Sequence, residues 1–95
     1  MDKTIFKYPI IIANFFKIEM PQNAKILSVG KQNNKAYIWA MINESEKLED
    51  KIFCLMGTGH PSYEDEKNLH FIGTFQLEEN NGSVFVGHLF EIIKK

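Results

Sequence analysis

Residues 71–93 read FIGTFQLEENNGSVFVGHLFEII, and this stretch decides the fold. Two apolar-rich runs, Phe71 to Leu77 and Ser83 to Ile93, flank Asn81-Gly82. Asn-Gly readily adopts the positive φ that a tight hairpin turn demands, so the stretch predicts an antiparallel β-hairpin. A two-residue loop pairs Gln76 with Gly87, Phe75 with His88, Thr74 with Leu89 and Gly73 with Phe90. One face then carries Phe71, Phe75, Leu77, Val86, His88, Phe90 and Ile92, and the other Ile72, Thr74, Gln76, Leu89 and Glu91. A bulge within Glu79-Asn80-Asn81-Gly82 would exchange the faces, because side chains alternate along a strand.

Working back along the chain, the same alternation recurs. Lys25 to Val29 and Ala36 to Ile42 flank Asn33-Asn34, a second two-residue hairpin loop. Counting outward pairs Gly30 with Tyr37, Ser28 with Trp39 and Ile26 with Met41, small residues opposite large ones. Leu27, Val29, Ile38 and Ala40 fall on the other face, so both faces are apolar and one is expected to meet a second layer or subunit. Thr4 to Ile12 reads as an edge strand, or as two short strands with a kink, because Pro9 cannot donate to a ladder. Phe16, Ile18 and Met20 alternate with Lys17 and Glu19, and Pro21-Gln22-Asn23 ends that strand. Ile52 to Met56 is a continuous apolar run, hence a buried strand. Asn43 to Lys51 is polar and reads as a loop or a helical turn, and Ser62 to Asn68 as a helical turn capped by Ser62. The chain, residues 1–95, is thus expected to be a single all-β domain. The expected architecture is a small antiparallel sandwich or open barrel of six to seven short strands with at most one helical turn.

Composition narrows the function. The chain has 95 residues, 44% of them hydrophobic, which suits one globular domain near the small end of what folds unaided. Oligomerisation would supply further burial, and a homo-oligomer is expected. A net charge of −1 excludes a general attraction to duplex nucleic acid. All the basic residues are lysines, so a phosphate would be held by lysine, hydroxyls, histidine or backbone N–H groups without an arginine fork. The lone cysteine, Cys54, sits in an apolar run and suits a reducing compartment. The Pro9 to Phe16 stretch is too short to span a bilayer, and no small-residue cleavage site follows. No membrane partner and a cytoplasmic location are expected.

The residues with chemical potential gather around the end of the buried strand. Gly57-Thr58-Gly59-His60-Pro61 is either an anion-binding nest of converging N–H groups or a turn whose glycines serve geometry alone. No P-loop follows, since the motif lacks Gly-Lys-Ser/Thr. His60, His70, His88 and Cys54 match no zinc spacing, so neither metal nor cofactor is expected. Cys54 reads as an inert buried thiol, and Glu64, Asp65 and Glu66 as a solvated run, so no catalytic residue is assigned. Glu91, interrupting apolar residues, needs Lys, Thr or backbone partners if buried. Trp39 beside Tyr37 is either a stacking platform or core packing.

Glu19-Met20-Pro21, Ala24 to Val29, Gln32, Trp39-Ala40, Gly57 to Pro61, Gly73 to Gln76 and His88 to Glu91 occur in that order. Together they resemble a family of short proteins from tailed phages, prophages and bacteria, filed as a domain of unknown function. The resemblance implies a phage or prophage origin and a compact stand-alone domain, and it carries no catalytic residues. It also favours binding of a host molecule, the nucleotide signals of anti-phage immunity among them.

The leading expectation is therefore a non-enzymatic protein of the bacterial host cytoplasm that sequesters a small anionic ligand, a cyclic nucleotide. Its candidate ligand-binding residues are Trp39, Gly57, Thr58, Gly59, His60, Thr74, Gln76 and His88. A module that inhibits a host protein is the alternative. A phosphodiester-cleaving enzyme using His60 or His88 is the third reading.

Overall fold

In the computed structural model, which describes residues 2–93, the alternating runs form antiparallel strands. They are β1 (Thr4–Pro9), β2 (Phe15–Pro21), β3 (Lys25–Gln32), β4 (Lys35–Ile42), β5 (Leu48–Gly57), β6 (Leu69–Glu78) and β7 (Val84–Ile92). Three strands in the order β1-β4-β3 make one sheet, and four in the order β2-β5-β7-β6 make the other. β3 runs alongside β6, so the layers meet on that side, while β1 and β2 remain as edges. This is an antiparallel sandwich without barrel closure.

Between the sheets, Ala36, Ile38, Ala40 and Ile42 of β4 meet Phe16, Met20, Phe53, Leu55, Phe75 and Leu89. Each large side chain so buried contributes about 1.5–3 kcal/mol of transfer free energy. Phe16 and Phe53 stack with centroids 5.3 Å apart. On β4 the alternation is complete: the even residues are buried, and Tyr37, Trp39 and Met41 are half-buried on the outer face.

The first hairpin closes as the sequence predicts. Asn33 and Asn34 sit at φ 53° and 57°, Gly30 faces Tyr37 and Ser28 faces Trp39. A bulge at Leu27 then breaks the expected register, placing Ile26 opposite Ala40 instead of Met41. The bulge packs Ile26 against the core and leaves Leu27 exposed. Asn34 also links the layers. Its Nδ2 donates to the Glu78 carbonyl at 2.9 Å, and its Oδ1 accepts from the Glu78 N–H at 2.8 Å, as a strand backbone would.

The second hairpin departs from the two-residue loop. The Gly82 N–H donates to the Glu79 carbonyl (3.0 Å), and the Glu79 N–H to the Ser83 carbonyl (2.8 Å). With Gly82 at φ +85°, this is a three-residue loop with a glycine bulge. Register moves by one, so Phe75 faces Gly87, Thr74 faces His88 and Gly73 faces Leu89. The faces exchange accordingly. Leu89 is fully buried, and His88 joins Thr74 and Gln76 outside. A further bulge at Ile72 sets Phe71 opposite Phe90.

Two polar stretches also differ from expectation. β5 begins at Leu48, inside the presumed loop, because Glu49, Asp50 and Lys51 complete the ladder with Met20, Glu19 and Ile18. Lys51 lies 3.3 Å from Glu91, each side chain about 15% exposed, so the carboxylate among apolar residues has its lysine. The short turn is a 3₁₀ element at Glu66–Asn68 capped by Asp65, whose Oδ1 accepts from the Lys67 N–H at 3.1 Å. Ser62 makes a local turn to Glu64 instead.

The seam between β3 and β6 depends on a missing side chain. A Cβ on Gly73 would lie 2.8 Å from Val29 Cγ1. Gly73→Ala is expected to lower the stability measured by urea unfolding by about 1–3 kcal/mol, with part recovered in the Gly73→Ala/Val29→Ala double variant.

Candidate functional site

The end of β5 and the register of β7 bring together four of the expected residues. Met56, His88 and Thr74 stand side by side across β5, β7 and β6 on the outer face of the four-stranded sheet. Thr58, just past the end of β5, places its Oγ1 2.7 Å from His88 Nε2, and Thr74 Oγ1 lies 3.0 Å from His88 Nδ1. Gln76 is exposed one row further along the same face, opposite Val86. Both imidazole nitrogens are therefore held by hydroxyls.

A neutral imidazole has one N–H and one lone pair. One threonine must then donate to the ring, while the other accepts from it and keeps its own O–H for a ligand. In the imidazolium both nitrogens donate, and both hydroxyl protons are released outward. The trio thus presents donors beside Met56, Val86, Phe90 and Gln76, and Glu64 brings a negative charge to bear on this face, acting on Cys54 next to Phe90.

The turn that follows β5 is closed on itself. The Thr58 N–H donates to the Val86 carbonyl and the His60 N–H to the Gly57 carbonyl, at 3.3 and 3.1 Å, so these N–H groups do not converge as a nest. Its glycines serve geometry. Gly59 has φ +85°, and a Cβ on Gly57 would meet the His60 ring at 2.7 Å.

His60 lies on the opposite side of the sheet from His88. Gly57 pairs with Gly87, whose Cβ direction points at Phe75 and Leu55 of the core, and His88 is the next residue, directed away. His60 lines an inner cleft of about 180 Å³ with Leu55 and Phe85. The two histidines therefore form no acid–base pair. Trp39 is elsewhere again, on the outer face of the three-stranded sheet, 6.1 Å from Tyr37. Lys7 Nζ sits there 4.5 Å over the Tyr37 ring and donates to Gln32 Oε1 at 2.7 Å.

Beside the trio runs an apolar strip that the sequence reading did not join to it. Phe15, Cys54, Phe90 and Phe71 occupy successive positions across the sheet, and the Phe71 and Phe90 rings are 5.3 Å apart. Phe15 is 42% exposed, Phe71 55% and neighbouring Ile52 40%, so the strip is open to partners. The glycine bulge in the turn, which the expected register omitted, brings Thr74 and Gln76 to the histidine's face, and the bulge at Ile72 keeps Phe71 there opposite Phe90. Cys54 beneath them is buried, and burial, with Glu64 adding to it, pushes the thiol above its ordinary range.

The molecule is thus an all-β sandwich whose polar cluster is displayed on a sheet face beside exposed aromatic rings. A family model described as a domain of unknown function (DUF7352) matches residues 1–95, and the chain belongs to that family. No curated protein and no solved structure matches it significantly. Among the described residues, no helix is long and apolar enough to cross a membrane.

The separation of the histidines is testable. Gly57→Ala should displace the His60 ring and shift its NMR signals while leaving those of His88 unchanged. Cys54 gives a second expectation. Its raised pKa means that the folded state keeps a proton which the unfolded chain releases, so this contribution is intact below the ordinary thiol range and is lost as pH rises above it. Urea midpoints should fall between neutral and alkaline pH, and fall less in Cys54→Ala.

Proposed function

We propose that the protein is a non-catalytic binding protein that sequesters a small anionic ligand of the cyclic-nucleotide class on the outer face of its four-stranded sheet. The carrying observation is the Thr58–His88–Thr74 trio, in which two hydroxyls hold an imidazole by both nitrogens, so that at least one O–H is left for a ligand. With no arginine in the chain, a phosphate would be met by these hydroxyls and by Gln76, with the His88 ring orienting the hydroxyls. Phe71, Phe90 and Met56 lie within the same face and can stack or cover a base, a contact worth about 1–3 kcal/mol per base. Such a face encloses a ligand when a second copy covers it, which fits the small size of the domain. In this reading the protein acts for a phage or prophage and removes a nucleotide signal from the host cytoplasm.

A second reading, docking onto a host protein, draws support from the exposed Phe15, Ile52 and Phe71 on this face. Native mass spectrometry after incubation with a mixed pool of cyclic di- and trinucleotides separates the readings. Sequestration predicts an intact nucleotide on a defined oligomer. It also predicts a thermal shift equivalent to about 2.7 kcal/mol of stabilisation at a hundredfold excess over Kd. His88→Ala and Thr58→Val/Thr74→Val should abolish retention, and Trp39→Ala should not. A cleaved nucleotide, or an empty protein whose melting point is unmoved by the pool, would overturn it.

A further inference from the structure

The side of the sandwich away from the β3–β6 seam is open, and its chemistry differs from that of the outer face. A cleft of about 310 Å³ lies there between the two edge strands. Phe6 and Tyr8 of β1, Pro21 at the end of β2, Ile42 of β4 and Leu48 of β5 line it. Leu48 is 58% exposed and Phe6 40%, so the apolar lining is reached from solvent. Two acidic residues complete the lining, Glu44 near Tyr8 and Glu19 at the β2 rim, where alternation sets its side chain with Phe15 and Lys17. Among the described residues neither is ion-paired with a lysine. Glu44 also acts on Tyr8: burial first, then this carboxylate, raises the phenol's pKa.

Beside the cleft is a row of backbone groups that, among the described residues, have no strand partner. The Ile10 N–H donates to the Ala36 carbonyl, in register with the β1–β4 ladder. Antiparallel pairing alternates, so Thr4, Phe6 and Tyr8 also direct their backbone groups at β4, and the residues between them direct theirs at the free edge. Ile5 and Lys7 therefore offer N–H and C=O groups outward, and Pro9 a C=O alone. The same alternation sends the Phe6 and Tyr8 side chains toward the cleft. A strand added at this edge would continue the three-stranded sheet while its inward side chains entered the cleft. β2 is the poorer template, because its edge carries Lys17 and Glu19 and ends in Pro21, which has no N–H.

We propose that the edge of β1 is a docking site for an extended peptide of a partner protein, with apolar residues entering the cleft and flanking lysines or arginines meeting Glu19 and Glu44. Charge selects this occupant over a second copy of the chain. A second copy paired at the same edge would bring its own Glu19 and Glu44, gathering like charges where a basic strand neutralises them. The site is separate from the Thr58–His88–Thr74 face and stands whether or not that face binds an anion.

The test is an amide NMR titration of the whole protein with the synthetic peptide acetyl-Lys-Thr-Val-Thr-Val-Thr-Lys-amide. This probe carries its valines and terminal lysines on one face. Shifts should centre on β1, and the Ile5 and Lys7 amides should become protected from hydrogen exchange. The analogue with glutamate for lysine should not bind. Glu19→Gln/Glu44→Gln, a surface change that leaves the core intact, should weaken binding about tenfold. Ile5→Pro removes one outward N–H without taking a bond from the β1–β4 ladder, and should weaken it too. Equal binding of the acidic analogue, shifts centred on the outer face of the four-stranded sheet, or Ile5 and Lys7 protection that rises with protein concentration alone would each overturn the proposal.

Discussion

Gly82, at φ +85°, admits one more residue to the β6–β7 loop than a two-residue turn would hold, and the register of the second hairpin follows from it. Strand side chains alternate, so this single residue decides which set of β7 faces inward. Leu89 and Gly87 enter the core, where Gly87 leaves room for the Phe75 ring, while His88 and Phe90 face out. The exposed strip and the Thr58–His88–Thr74 trio both rest on that choice. In the other register His88 would be an imidazole between two sheets.

The core is built from alternation in β4 and β2 against the apolar run of β5, and it is closed laterally by small adjustments at one seam. Bulges at Leu27 and Ile72 fall on the two strands that meet there, Gly73 leaves room for Val29, and Asn34 joins the strand ends with its side-chain amide. Among the described residues, the opposite side has no such devices. β1 and β2 stay apart there, with an acidic-rimmed cleft between them. The asymmetry follows from backbone satisfaction: edges that approach one another are bent or bridged, and edges that do not keep free donors and acceptors.

The candidate residues are thereby distributed over separate surfaces. The polar trio and aromatic strip lie outside the four-stranded sheet, Trp39 and Tyr37 outside the three-stranded one, and His60 within the layers' end. This separation weakens the case for catalysis by paired histidines. The binding role proposed above needs no such pair.

The sequence by itself determined the class of fold and the positions of most strands. Local rules suffice there: two asparagines at φ 53° and 57° close one hairpin, Asn81-Gly82 marks the other, and alternation picks out β2 and β4. It also singled out Thr58 in the turn after the buried strand and Thr74, Gln76 and His88 on the last hairpin, together with Trp39, Gly57, Gly59 and His60. It could not assemble them, because a one-residue difference in a loop is invisible to periodicity yet reverses a face. The start of β5 escaped for a related reason: Glu49, Asp50 and Lys51 have poor strand propensity and extend only because β2 supplies a ladder. Only the tertiary structure decided that Glu91 meets Lys51, that His60 and His88 part company, and that β1 keeps a free edge. Each of these depends on which distant strands lie side by side.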